Sequence, residues 1–215
     1  MRKSNLIVLA STNADKYREF KSLLSAYPEI ELATADGYVR NPGKIGFAEQ
    51  YDTYLENAAA KARLVNLGSH YPSLADDSGL EIDALGGKPG VRSHRYAKVP
   101  GSPSQNDQDR ANIEMVLSEL RGKGTSDRSA RFVTTLTLVI EGVMVHATGT
   151  LEGSIIETPR GTQGFGYDSI FTPKGSDKTL AEMSEAEKNA ISHRAKAVHE
   201  LMNQVKARGV VLAKP

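Results

Sequence analysis

Asp76 and Asp77 stand side by side in an otherwise apolar run, LADDSGLEIDALGG at residues 74–87. Adjacent carboxylates repel, and burying an unpaired charge is costly. The pair therefore implies either solvated turn chemistry or a positive partner. A positive partner points to Mg²⁺, a hard cation that takes oxygen ligands, commonly one or two carboxylates completed by waters and substrate phosphates. Successive side chains of a regular strand face opposite ways, so one aspartate reaches the metal and the other orients neighbours. In the turn reading, Ser78 and Glu81 form a capping box at a tight Ser-Gly turn. Glu49 and Glu56 are candidates for a further carboxylate. Lys61, five residues beyond Glu56, faces either a phosphate or water.

Three other stretches carry chemistry-bearing side chains. ASTNADK, residues 10–16, joins a strand to a helix N-terminus, where unpaired N–H groups and the positive dipole end favour an anion. Ser11, Thr12 and Asn13 add side-chain donors, and Lys16 falls near the first helical turn, where the dipole disfavours a cation unless a phosphate accompanies it. The stretch lacks the glycines of a P-loop or dinucleotide fingerprint. GFGYDSIF, residues 164–171, sets Phe165 between two glycines, followed by Tyr167 and Asp168. Such a loop allows close approach to a flat ligand, with an aromatic to stack on a base and a carboxylate to accept from ring N–H groups. EKNAISHR, residues 187–194, places Lys188 and Ser192 on one helical face, with His193 and Arg194 adjoining. Read one at a time, each stretch is also consistent with an ordinary cap, a strand edge with core aromatics, or a solvated helix face.

The elements that hold these groups follow from periodicity. Residues 6–10 read as a short buried strand, and residues 16–26 as a helix with Phe20, Leu23 and Leu24 on one face. Residues 53–67 predict an Ala-rich helix with Leu55, Ala59, Ala62 and Asn66 in register and Gly68 ending it. The Asp-Asp stretch reads as strand and turn, residues 99–109 as a surface loop, and residues 112–120 as a helix. Residues 131–140 and 143–150 are β-rich runs joined by a hairpin at Glu141-Gly142, and residues 154–157 and 167–172 add short strands. A long helix starts near Ser184, which forms a capping-box pattern with Glu187. Its stripe is Ile191, Ala195, Val198, Met202 and Val205. A βα start with a central antiparallel hairpin predicts an α/β fold with a mixed sheet.

Composition narrows the function. The 215 residues are 39% hydrophobic and 25% charged, which suits a globular core. A net charge of +1 gives no broad grip on nucleic acid, so any anion site is local. No cysteine is present for disulfides or thiolate ligands. The apolar run near the start is too short for a signal peptide, and no stretch is long enough to span a bilayer. These features predict a soluble, cytoplasmic protein with no nucleic-acid or membrane partner.

Together the stretches LASTNADKYREF, TYLENAAAKAR, LADDSGLEIDALGGKPGVRSHRYA, GFGYDSIF and AEMSEAEKNAISHRAKA resemble the inosine triphosphate pyrophosphatase family, in order and over nearly the whole chain. The resemblance implies a single family domain over residues 1–215, with an elongated mixed sheet, flanking helices and two lobes around a nucleotide cleft. It also implies a Mg²⁺-dependent homodimer that cleaves non-standard purine nucleoside triphosphates (ITP, dITP, XTP) to monophosphate and pyrophosphate. By position, Ser11, Thr12, Asn13, Ala14, Asp15 and Lys16 would hold phosphates, assisted by Lys61 and Lys188. Asp77 would be the catalytic carboxylate and a metal ligand, with Glu49 as second ligand and Ser78 touching substrate. Phe165, Gly166, Tyr167 and Asp168, with His193 and Arg194, would surround the base. Ser169 stands where the family usually has proline, residues 37–51 depart from the common pattern, and His94 replaces the usual small residue before Arg-Tyr. The rival expectations are a less selective phosphatase releasing orthophosphate and a non-catalytic nucleotide-binding module.

Overall fold

Period-two alternation along the central strands separates two apolar faces. In this computed structural model, which describes residues 5–101 and 103–209, β1 (Leu6–Leu9) runs parallel to both β2 (Glu31–Thr34) and β3 (Ser73–Ile82). Ile7, Leu9 and Leu74 join one core cluster, whereas Val8, Ala10 and Ala75 join another. The first cluster takes Phe20 and Leu24 from α1 (Ala14–Leu24) and Ala197, Val198, Leu201, Met202 and Val205 from α5 (His193–Ala207). The second takes Ala58, Ala62 and Val65 from α2 (Tyr54–Ser69). Strand faces of opposite parity are thus covered by different helices, the usual solution for a parallel core.

The remaining strands are β4 (Lys88–Pro89), β5 (Ser129–Ile140), β6 (Val143–Ile155) and β7 (Phe171–Pro173). The strand order is β2-β1-β3-β5-β6-β7, with β4 antiparallel to the end of β3 and β7 antiparallel to the end of β6. The predicted α/β class with a mixed sheet is therefore borne out. The chain forms two compact units. The first holds the residues up to Asp77, Thr134–Gly149 and the chain from Arg194; the second holds Ser78–Val133 and Thr150–His193. The second unit's core packs Leu80, Ile82, Phe132, Leu151, Tyr167, Ile170 and Phe171 with Val116, Leu117 and Leu120 of α3 (Gln105–Lys123).

The helix predicted at 16–26 forms two residues earlier, capped by Asn13, whose side chain accepts from the amides of Asp15 at 2.8 Å and Lys16 at 3.0 Å. Two other predicted features hold. The hairpin turns at Glu141 and Gly142, both at positive φ. The capping box of Ser184 and Glu187 opens α4 (Glu185–Ile191).

Others differ for physical reasons. No turn forms at Ser78-Gly79: β3 runs straight through, and the chain turns only at Asp83–Leu85. Gly68 lies inside α2, which ends one residue later with His70 left-handed as cap. Leu55 is exposed, because the buried stripe of α2 is Ala58, Ala62 and Val65. The polar stretch read as a loop at 99–109 already contains the first turn of α3, capped by Ser104; Ser102 of that stretch, like residues 1–4 of the chain start, lies outside the described residues. The predicted strand at 154–157 is the end of β6, and that at 167–172 is a 3₁₀ turn at Asp168–Ile170 followed by β7. The predicted long C-terminal helix is two helices, α4 and α5, parted at Ser192, whose backbone is extended.

Candidate active site

The alternation that splits the core also divides the two aspartates. Asp76 shares the parity of Leu74 and meets α1 and α5; Asp77 shares that of Ala75 and meets α2. Both are buried in the first unit. The Lys16 ammonium lies 2.5 Å from Asp76 Oδ2, the Thr134 hydroxyl donates to Oδ1, and Arg194 Nε stands 3.7 Å from the same oxygen. Burial alone would push the Asp76 carboxyl up, but Lys16, Arg194 and Lys61 hold it well below the usual carboxylate range. The cation in the first turn of α1 is therefore explained by a buried carboxylate.

On the opposite face, Lys61 Nζ donates to Glu49 Oε1 at 2.6 Å, to the Asp76 carbonyl at 2.6 Å and to Asp77 Oδ1 at 3.2 Å. Asn57 Nδ2 donates to Asp77 Oδ2 at 3.1 Å. Burial would lower the Lys61 pKa, yet Asp77, Glu49 and Asp76 outweigh it and hold the ammonium above its ordinary value. Asp77 shares that one cation with Glu49. Its burial, reinforced by Glu49, prevails over the pull of Lys61 and Lys16, so its pKa is raised. One aspartate is thus locked as an anion, and its neighbour is shifted toward accepting a proton.

The second unit carries a separate constellation. Asp168 Oδ2 accepts from Phe165 N at 3.0 Å and from Lys188 Nζ at 2.7 Å, and that ammonium sits 5.1 Å from the Phe165 ring centroid. A Cβ at Gly164 would collide with the Asp168 carboxylate, and Gly164 has positive φ, so glycine is required there. Gly166 N donates to Asp109 Oδ2 at 2.8 Å, and the Tyr167 hydroxyl donates to the Ser93 carbonyl at 2.8 Å.

The sequence-predicted residues fall as follows. Lys16, Lys61, Asp77, Glu49 and Arg194 gather in the first unit around the paired aspartates. Glu56 is exposed and hydrogen-bonded to Thr53, so of the two candidate glutamates it is Glu49 that shares a partner with Asp77. Ser11, Thr12, Asn13, Ala14 and Asp15 form the strand-to-helix turn. There Asn13 occupies two of the amides and Asp15 pairs with Arg18. Arg194, expected near the base, pairs with Glu19 at 3.0 Å. Phe165, Gly166, Asp168 and Lys188 come together in the second unit. Tyr167 is a core residue, and His193 is buried, stacked on Phe132 at 4.9 Å. Ser78 is half-buried on β3. Sequence reading missed Glu19, Asn57, Thr134 and Asp109. No local signal marks them, since their partners Arg194, Asp77, Asp76 and Gly166 lie far away in sequence.

The Ham1 family matches residues 7–204. The chain is 43% identical over 206 residues to the dITP/XTP pyrophosphatase of Bacillus subtilis (strain 168), covering 93% of this chain and 96% of the relative. It superimposes on a HAM1 protein from Coxiella burnetii with TM-score 0.77 at 37% identity, covering 94% of this chain and 98% of that one. The Staphylococcus aureus Ham1 protein gives TM-score 0.74 at 34% identity, covering 94% and 99%. The fold and its solved neighbours place the chain among α/β proteins with a mixed sheet, here carrying a buried lysine–carboxylate cluster. Within that class the chain belongs to the Ham1 family, and the resemblance drawn from its motifs is borne out.

Proposed function

We propose that this chain hydrolyses non-standard purine nucleoside triphosphates (ITP, dITP and XTP) to the monophosphate and pyrophosphate. The observation that carries the reading is the division of labour at the Asp-Asp pair. Asp76 pairs with Lys16 on one face of β3, and Asp77, on the other face, lies beside Asn57 and shares Lys61 with Glu49, placed to take a proton from water. The Bacillus subtilis relative is a dITP/XTP pyrophosphatase, which supports the same reaction class.

Mg²⁺ belongs to the proposal. The residues suit it: Glu49 and Asp77 already converge on one cation, Lys61 Nζ, and both offer hard oxygen donors. Among the described residues no group of three or more His, Cys, Asp or Glu is arranged to hold a metal; Mg²⁺ commonly completes its shell with waters and substrate phosphates. Glu49 and Asp77 would hold it, and its chemistry is neutralisation of triphosphate charge. Lys16 and Lys61 add positive charge for the same purpose, and Asp77 orients the attacking water toward the α-phosphorus. Phe165 supplies an aromatic face for the base, held by Asp168 and Lys188. A homodimer in the cytoplasm is part of the reading; no described helix is long and apolar enough to cross a membrane.

The test is a panel of ITP, dITP, XTP, ATP and GTP with separate detection of pyrophosphate and orthophosphate, with and without Mg²⁺. Pyrophosphate release from the deaminated purines, well above that from ATP and GTP and dependent on Mg²⁺, is expected. Orthophosphate as the first product would indicate a general phosphatase. Binding without turnover would indicate a sensing module. Light scattering of the purified chain checks the dimer.

A further inference from the structure

We infer that Asp109 is a positioning residue for the loop at residues 164–168, holding Phe165 in the orientation that receives a purine base. The inference rests on the function proposed above. Asp109 lies in the second turn of α3, half-buried and outside the loop it serves. Its Oδ1 accepts from Gln105 Nε2 at 2.7 Å, and its Oδ2 accepts from the Gly166 amide at 2.8 Å.

Each of three successive loop residues is tied down by a different group. Phe165 N is bonded to Asp168, Gly166 N to Asp109, and the Tyr167 hydroxyl to the Ser93 carbonyl. Gly166 is the member with freedom to move, since it has φ +60° and no side chain. Its amide is the donor that Asp109 fixes. A charge-assisted bond to a backbone N–H is among the stronger ways to hold a turn, and Gln105 keeps the carboxylate from rotating away. Without the carboxylate, the peptide between Phe165 and Tyr167 can reorient, and the ring loses its single placement.

This predicts an effect on base binding and none on phosphate binding. Three full-length variants test it: Asp109→Ala, Asp109→Asn, which keeps an oxygen acceptor, and Gln105→Ala, which keeps Asp109 but removes its support. For Asp109→Ala, KM for dITP should rise about tenfold, the scale of one lost charge-assisted hydrogen bond. Its kcat should stay within about twofold, as for an interaction equal in ground and transition states. Affinity for inorganic tripolyphosphate, measured by calorimetry, should be unchanged. Asp109→Asn, which keeps an acceptor but loses the charge, should recover about half of the loss in free energy, and Gln105→Ala should show a rise of about threefold. A folded Asp109→Ala protein with parental KM overturns the inference, as does an equal loss of tripolyphosphate affinity or an asparagine variant as impaired as the alanine one. Should Asp109→Ala fail to fold, Gln105→Ala decides by the same KM criterion. Should the parental chain not turn over dITP, the proposed function falls. Amide hydrogen exchange over residues 164–168 then judges Asp109 alone: faster exchange in Asp109→Ala supports the positioning role, and unchanged exchange overturns it.

Discussion

Lys16 and Asp76 form a 2.5 Å ion pair in which the carboxylate side chain is fully buried and the lysine side chain keeps 17% exposure. The lysine therefore has one side committed to the protein and another open to a ligand. Lys16→Ala should weaken triphosphate binding about tenfold or more, the scale of a charge-assisted contact, and change nucleoside binding by less than about twofold. Titration calorimetry with both ligands measures this, and equal triphosphate binding by variant and parent removes Lys16 from the site.

Asp76 should also govern acid stability. Its folded-state pKa lies below the ordinary value of 3.8. The group therefore stabilises the fold fully above that pH and progressively less as pH falls below it. Asp76→Asn should be clearly less stable than the parent at neutral pH, and the gap should narrow below about pH 4. Urea unfolding across pH is the measurement; a gap that does not depend on pH contradicts the assignment.

Asp77 carries the opposite sign. Its folded pKa is raised, so its ionised form opposes folding above the ordinary carboxylate pKa, and removing the charge relieves that cost. Lys61 retains Glu49 and the Asp76 carbonyl as partners. Asp77→Asn should therefore stay within about 1 kcal/mol of parental stability while turnover of dITP falls by a factor on the order of 10² or more, as for a lost general base. Pyrophosphate release at saturating Mg²⁺, with circular dichroism as the folding control, decides it. A folded variant with near-parental turnover sinks the role given to Asp77.

Tyr167 is expected to matter for stability. Its hydroxyl donates to the Ser93 carbonyl inside the second unit, where burial, with Asp109 nearby, raises the phenol pKa. Tyr167→Phe removes that buried hydrogen bond and should cost about 1 kcal/mol in urea unfolding. No measurable cost would mean that another donor replaces the phenol.

The parts of the fold legible in the sequence are those where local chemistry and periodicity agree. The Ser184–Glu187 box and the Glu141-Gly142 hairpin are short-range signals that form where expected, and the polar turn at residues 11–13 supplies the α1 cap, Asn13, two residues ahead of the predicted start. Ser78-Gly79 has the composition of a turn, yet β3 passes through it; Ser93 Oγ accepts from the amide of Leu80 one residue further on. The start of α3 is polar because Gln108 and Asp109 reach toward other segments, with Gln105 bonded to Asp109 within the helix, rather than into an apolar core. The break at Ser192 has no glycine or proline to announce it. In the site, Lys16, Lys61 and Asp77 were legible as charges in a suggestive order. Glu19, Asn57 and Thr134 were not, since each gains its meaning only from a partner distant in sequence.

The segmented build of the first unit has a consequence for biosynthesis. Ile7, Leu9 and Phe20, from the start of the chain, share a core with Ala197, Val198, Leu201, Met202 and Val205 of α5, near its end. A nascent chain on the ribosome cannot seal that core until the last helix has left the exit tunnel. The intervening second unit, Ser78–Val133 and Thr150–His193, is translated before closure is possible. Contacts of such long sequence separation are slow to form, so the apolar strand β1 waits for α5 while the residues between them are made, a state prone to aggregation and to capture by chaperones.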